Sequence, residues 1–172
     1  MKAPARSRED IENLAVAIRS IVGIGDAPFF PVMTFVEAVL PQIVPNFVFD
    51  VRDREFMGDR MGAVDPLSGA FFLRDDCYDG AARGVPRDRF TVAHEIGHLI
   101  MHVGTLNRTD GGGEKLPAYL DPEWQANYFA GALLMPRELM LACLSIDEVM
   151  QKFGVSRECA SVRAKVLGMS IK

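Results

Sequence analysis

The stretch Arg89-Phe90-Thr91-Val92-Ala93-His94-Glu95-Ile96-Gly97-His98-Leu99-Ile100-Met101-His102 decides how the rest of this sequence is read. It holds all three histidines of the chain. His94 and His98 are four apart, so on a helix one imidazole lies above the other and both can face a single ion. Glu95 lies about 60° around the helix from His98, close to such an ion yet free to act as a base. Val92, Ile96, Leu99 and Val103 take the opposite face and belong against a core. The pattern predicts a helix from Phe90 to Val103, stopped by Gly104, with a His-Glu-x-x-His metal site on one side.

Two histidines do not complete a hydrolytic zinc site, which takes three protein ligands and leaves one position for water. His102 is about 12 Å along the axis from His94 and cannot converge with both others on one ion. Glu114, Asp121 and Glu123 are the candidate carboxylates, and Glu123 is preferred. It opens a helix capped by Asp121, with Pro122 at its first position, running to Met135 before Pro136. Asn127 is one turn further on the same face, and small Ala126 and Ala130 allow a close approach to the first helix.

The flanks predict the rest. Ser7 and Asp10 form a capping box for a helix over residues 7–22, and a second helix runs from Pro31 to Leu40, before Pro41. Alternation at Phe47, Phe49 and Val51, a run from Phe56 to Val64 and the run Ala70 to Leu73 suggest a small antiparallel meander. Asp65-Pro66-Leu67-Ser68-Gly69 supplies the last turn. Residues 74–88 read as a polar stretch, and 145–172 as two helices broken at Gly154-Val155-Ser156.

The 172 residues suit one ordinary domain, and 49% hydrophobic with 24% charged residues excludes wholesale disorder. A net charge of −4 disfavours a general nucleic-acid or membrane-surface binder. Cys77, Cys143 and Cys159 are odd in number and lack CxxC spacing, which argues against a disulfide scaffold. With no signal-peptide core and no apolar run of the roughly 18–20 residues that span a bilayer, the expected location is the cytoplasm.

The quoted stretch, and with it Glu123-Trp124-Gln125-Ala126-Asn127-Tyr128-Phe129-Ala130-Gly131-Ala132-Leu133-Leu134-Met135-Pro136, closely resembles the two metal-site blocks of the ImmA/IrrE metallopeptidases. The resemblance is strong over residues 86–138, weaker from Phe153 to Gly168 and only architectural before residue 80. It implies an α+β fold: a mainly helical, zincin-like metallopeptidase over residues 1–140, with a small antiparallel β-sheet. A helix-turn-helix-like helical subdomain over 141–172 would pack on it. It further implies gluzincin chemistry, with zinc (manganese as the alternative) on His94, His98 and Glu123 and with Glu95 as catalytic base. Gln125 departs from the acidic residue many members carry, which predicts a weaker supporting role there.

The oxyanion of peptide hydrolysis needs a second electrophile, for which Tyr119, Tyr128 and His102 are candidates. His102 and Asn127 are alternatively partners that orient the ligands. The resemblance implies a protein substrate, a helix-turn-helix repressor encoded nearby, whose cleavage relieves repression in a stress, prophage or mobile-element setting. The Asp110-Gly111-Gly112-Gly113 loop is read as a gate. From Ser145 onward, Lys152, Arg157, Arg163, Lys165 and Lys172 face Asp147, Glu148 and Glu158, too thin a surplus to predict direct DNA binding. The competing reading is a non-catalytic partner-binding or DNA-binding regulatory module with a vestigial zinc site.

Overall fold

The computed structural model describes residues 2–24, 27–65, 67–104 and 116–171. The first helix, α1 (Arg8–Ile21), begins with the predicted capping box: Ser7 N donates to Asp10 Oδ2 at 2.8 Å, and Asp10 N donates to Ser7 Oγ at 3.1 Å. Its Ile11, Ala15 and Ile18 stripe is buried, as the helical spacing requires. The next helical stretch does not stop before Pro41. It passes from α2 (Val32–Thr34) through a π-helical turn (Phe35–Val39) into α3 (Leu40–Ile43). Leu40 N reaches five residues back to Phe35 O. That wider turn relieves the crowding a proline ring imposes on the preceding carbonyls.

The sheet is a correction. Strands β1 (Phe49–Arg52), β2 (Gly62–Val64) and β3 (Phe71–Arg74) are ordered β1-β3-β2, with β1 parallel and β2 antiparallel to β3. It is mixed, not an antiparallel meander. The reason is local: Asp53 caps a short helix, α4 (Arg54–Met57), accepting from Phe56 N at 2.9 Å. The chain therefore crosses over where a hairpin was expected, and only the β2–β3 link turns tightly. There the Asp65 carboxylate accepts from Leu67 N and Ser68 N. Phe71 and Leu73 point into the core from the central strand.

Much of the polar stretch is also ordered as helix, α5 (Asp75–Ala82). The histidine-bearing helix α6 (Pro86–His102) starts four residues earlier than predicted, with Pro86 at its first position. After a 3₁₀ turn (Ala118–Leu120) comes α7 (Pro122–Leu134), then α8 (Arg137–Leu141), α9 (Ile146–Phe153) and α10 (Arg157–Val166). Gly154 takes the left-handed conformation that separates the last two helices. Val149, Phe153, Ala160 and Ala164 of this tail are buried in the same cluster as Ile96, Phe129 and Leu133. The Asp110–Gly113 loop and Glu114 lie outside the described residues. Among the described residues, no helix is long and apolar enough to cross a membrane.

One charged side chain ties the centre together. Arg89, 1% exposed, donates from Nη1 to Phe153 O (2.8 Å) and Gly154 O (2.5 Å) and from Nη2 to Phe30 O (2.8 Å). Its guanidinium lies 3.8 Å from the centroid of the Phe29 ring. Burial pushes its pKa down to about 10, so it stays charged at neutral pH and caps the C-terminal carbonyls of α9. Arg89→Met leaves those buried acceptors without a donor. It should cost at least about 3 kcal/mol in urea unfolding, and a loss within error of zero would refute this anchoring.

Candidate metal centre

His94 and His98 project from one face of α6, and Glu123 from the first turn of α7, which Asp121 caps by accepting from Glu123 N at 3.0 Å. The two helices run antiparallel: His98 lies opposite Glu123 and His94 opposite Asn127. They approach closely because Gly97 has no side chain. A Cβ there would stand 3.0 Å from Phe129 Cδ1 and 3.3 Å from Ala126 Cα.

His94 Nε2 is 3.3 Å from Glu123 Oε2, His98 Nε2 is 3.3 Å from Glu123 Oε1, and the two Nε2 atoms are 2.9 Å apart. Ligands at 2.0–2.1 Å in a tetrahedron lie about 3.3–3.4 Å from one another, so the donor set fits a zinc-sized ion. His94, His98 and Glu123 form the one such cluster among the described residues. Its electrostatics favour positive charge at the centre. Burial opposes charging His94, but hydrogen bonding to Glu123 and the nearby Glu95 carboxylate outweigh it and raise its pKa. Hydrogen bonds from both histidines hold the Glu123 carboxyl well below the usual range.

The ring orientations are set from behind. Gln125, fully buried, donates from Nε2 to Pro4 O (2.9 Å) and Tyr119 O (2.8 Å), which leaves Oε1 as an acceptor. His102 Nε2 is 3.0 Å from that Oε1 and must donate to it. Burial lowers the His102 pKa, more than the bond to Gln125 raises it, so the ring is neutral and its Nδ1 is an acceptor. His98 Nδ1, 3.0 Å away, therefore donates to His102, so that Nε2 is the nitrogen that gives up its proton and turns a lone pair to an ion when one is bound. On the other side, His94 Nδ1 donates to Asn127 Oδ1 at 3.2 Å, with the same result.

Glu95 is 8% exposed, and burial raises its pKa against the pull of His94 and His98. It rests on Gly62 of β2, where a Cβ would come within 2.6 Å of Glu95 Cγ. Both flank a cleft of about 260 Å³ whose walls include Arg60, Ala63, Val64, His94, His98 and Glu123. The remaining predicted residues fall as follows. His102 and Asn127 contact the His98 and His94 rings, whereas Asp121 serves as a helix cap. Tyr119, half-exposed, contributes its backbone carbonyl to Gln125, and the Tyr128 hydroxyl donates to Glu12 Oε1 at 2.9 Å. Neither tyrosine is among the residues lining the cleft. Gly62, Arg60 and the supporting role of Gln125 were not found from sequence. A glycine in a strand next to a predicted metal helix was the available signal for the first; the residues just before β2 gave none for Arg60.

The chain should bind about one zinc ion, with affinity falling as the pH is lowered, because protons compete for the His94 imidazole, whose pKa is raised. Glu123→Gln should reduce that affinity sharply. Gln125→Met, which removes the acceptor behind His102, should weaken it about 10–100-fold in competition with a chromophoric chelator. Unchanged affinity in Gln125→Met would show that the relay does not position His98.

Residues 82–165 match the family model of a peptidase group described as the IrrE N-terminal-like domain. No curated protein and no solved structure matches the chain. The matched segment contains His94, Glu95, His98 and Glu123; it starts just before α6 and ends within α10. Residues 82–165 thus form an IrrE N-terminal-like domain of the ImmA/IrrE peptidase family.

Proposed function

We propose that this chain is a zinc-dependent endopeptidase. The observation that carries the reading is the convergence of His94, His98 and Glu123 beside a buried, unligated carboxylate, Glu95, in an open cleft. When bound, the ion supplies positive charge that acidifies the attacking water and polarises the scissile carbonyl. Glu95 takes the proton of that water and returns it to the leaving amine. Gly62 holds the Glu95 side chain in place, while Asn127 and His102 keep the imidazoles turned so that only lone pairs face the centre. Zinc is preferred over manganese because two imidazoles and one carboxylate form a nitrogen-rich set.

The substrate we propose is a helix-turn-helix repressor encoded nearby, cut to relieve repression in the cytoplasm. Residues 141–172 are read as a helical subdomain that binds protein and not DNA. The fate of its cations supports this. Arg163 is buried against Glu12 at 2.7 Å, Arg157 pairs with Asp147, and Lys152 pairs with Glu148 at 2.5 Å. Little charge is left over for phosphates.

The test is to incubate the metal-loaded protein with the repressor encoded next to its gene. One main cut is expected, and chelation should abolish it. Glu95→Gln should keep the metal and lose at least about 100-fold in turnover. Gly62→Ala, which displaces Glu95, should keep the metal and lose about 10-fold or more. Equal cleavage by wild type and Glu95→Gln would return the chain to the class of binding modules.

A further inference from the structure

A second cavity is larger than the metal cleft. A groove of about 690 Å³ lies between the N-terminal half of α6, the middle of α7 and the outer face of α10. Its walls are mainly apolar: Phe90, Trp124, Tyr128, Met135, Val162 and Val166. Val162 is 58% and Val166 37% exposed, one turn apart on a helix whose other face is buried through Ala160 and Ala164. Open apolar side chains lining a concavity mark a binding surface more often than isolated ones do.

The groove adjoins the metal centre at Asn127. Asn127 forms part of its wall and holds His94 at 3.2 Å, and Trp124 directly follows the ligand Glu123 in α7. Because α6 and α7 are antiparallel, the groove extends along both helices away from the ion. From His94 back to Pro86 is eight residues, about 12 Å of helix. An extended peptide covers that in about four residues. Three charged residues also line it, and two are paired: Arg163 with Glu12 and Arg87 with Asp88 at 2.9 Å, which leaves Glu158.

We propose that this groove is the subsite for the substrate residues on one side of the bond cut at the metal centre, taking an extended run of about four uncharged, apolar residues. The assignment rests on the peptidase reading and adds the chemistry of the segment recognised. A substrate must be extended to place a carbonyl at the ion, so the groove sets the identity of the flanking side chains while the metal cleft sets the bond.

Trp124 is the only tryptophan of the chain and reports occupancy directly. Metal-loaded Glu95→Gln protein is titrated with an acetylated, amidated tetrapeptide of leucine and alanine, and with one of serine and aspartate, following Trp124 fluorescence. The apolar peptide should bind at least tenfold more tightly. Val162→Asp, at an exposed position, and Gly131→Leu, where an added Cβ meets only Arg163 Cδ at 3.7 Å, should each weaken it at least tenfold while zinc affinity is unchanged. No fluorescence change, equal affinity for the two peptides, or indifference to both variants would overturn the assignment. So would sedimentation of the wild type as a dimer that Val162→Asp splits, since a second copy would then be the occupant. In the wild-type protein, repressor cleavage indifferent to both variants defeats the subsite alone. Peptide binding in the groove with no hydrolysis of the repressor by the wild-type protein defeats the peptidase reading.

Discussion

The contact between α6 and α7 at Gly97 is the constraint on which the site depends. The His94, His98 and Glu123 donor atoms meet within 3.3 Å across two helices only if the backbones lie closer than most side chains allow. Gly97 faces the Ala126 backbone and the edge of Phe129, and a single added carbon would already be in tight contact. The rest of the molecule keeps that approach in place. Helix α1 packs on α7 from behind, Arg89 fixes the N-terminal half of α6 to the end of α9, and β2 supports α6 beneath Glu95. Helix α7 has its own reason to begin where it does, since Asp121 caps it and Pro122 suits its first position. Its positive end thus lies at Glu123, which lowers the cost of holding a carboxylate there.

Gln125 shows how a departure from a family pattern can be a fit to this chain. From sequence its neutral side chain predicted a weaker supporting role, yet it is fully buried and ends the relay that orients His98. A carboxylate there could accept from His102 but could not donate to the Pro4 and Tyr119 carbonyls. The amide does both. It orders the protons from the N-terminal segment to the ligand without placing another negative charge in the interior.

What was legible from sequence was whatever is encoded locally. The spacing of His94, Glu95 and His98, the caps at Ser7 and Asp121, and the break at Gly154 all reappear in the structure. Glu123 was reachable because its helix has a clear start and small residues on the approaching face. The sheet order was not legible, because β1 and β2 are short and the Asp53 cap that diverts the chain between them looks like ordinary loop chemistry. Nor was the π-helical turn before Pro41, which has no periodic signature. Arg89 looked like a flanking charge, and only the tertiary fold reveals its three carbonyl partners from residues distant in sequence.

The tail follows from the same balance of charge and apolar surface. Two helices around a left-handed glycine have the outline of a helix-turn-helix, but outline alone does not read DNA. Arg163 faces inward, donating to Met135 O and both oxygens of Glu12, so it fastens α10 to α1 and α7. A buried guanidinium in a bidentate pair is far better suited to fixing a position than to meeting a phosphate. With α10 held this way, the valines on its outer face become one wall of the apolar groove beside the metal ligands. The segment that looks like a nucleic-acid reader thus spends its buried arginine on packing and its outer valines on the wall of that groove.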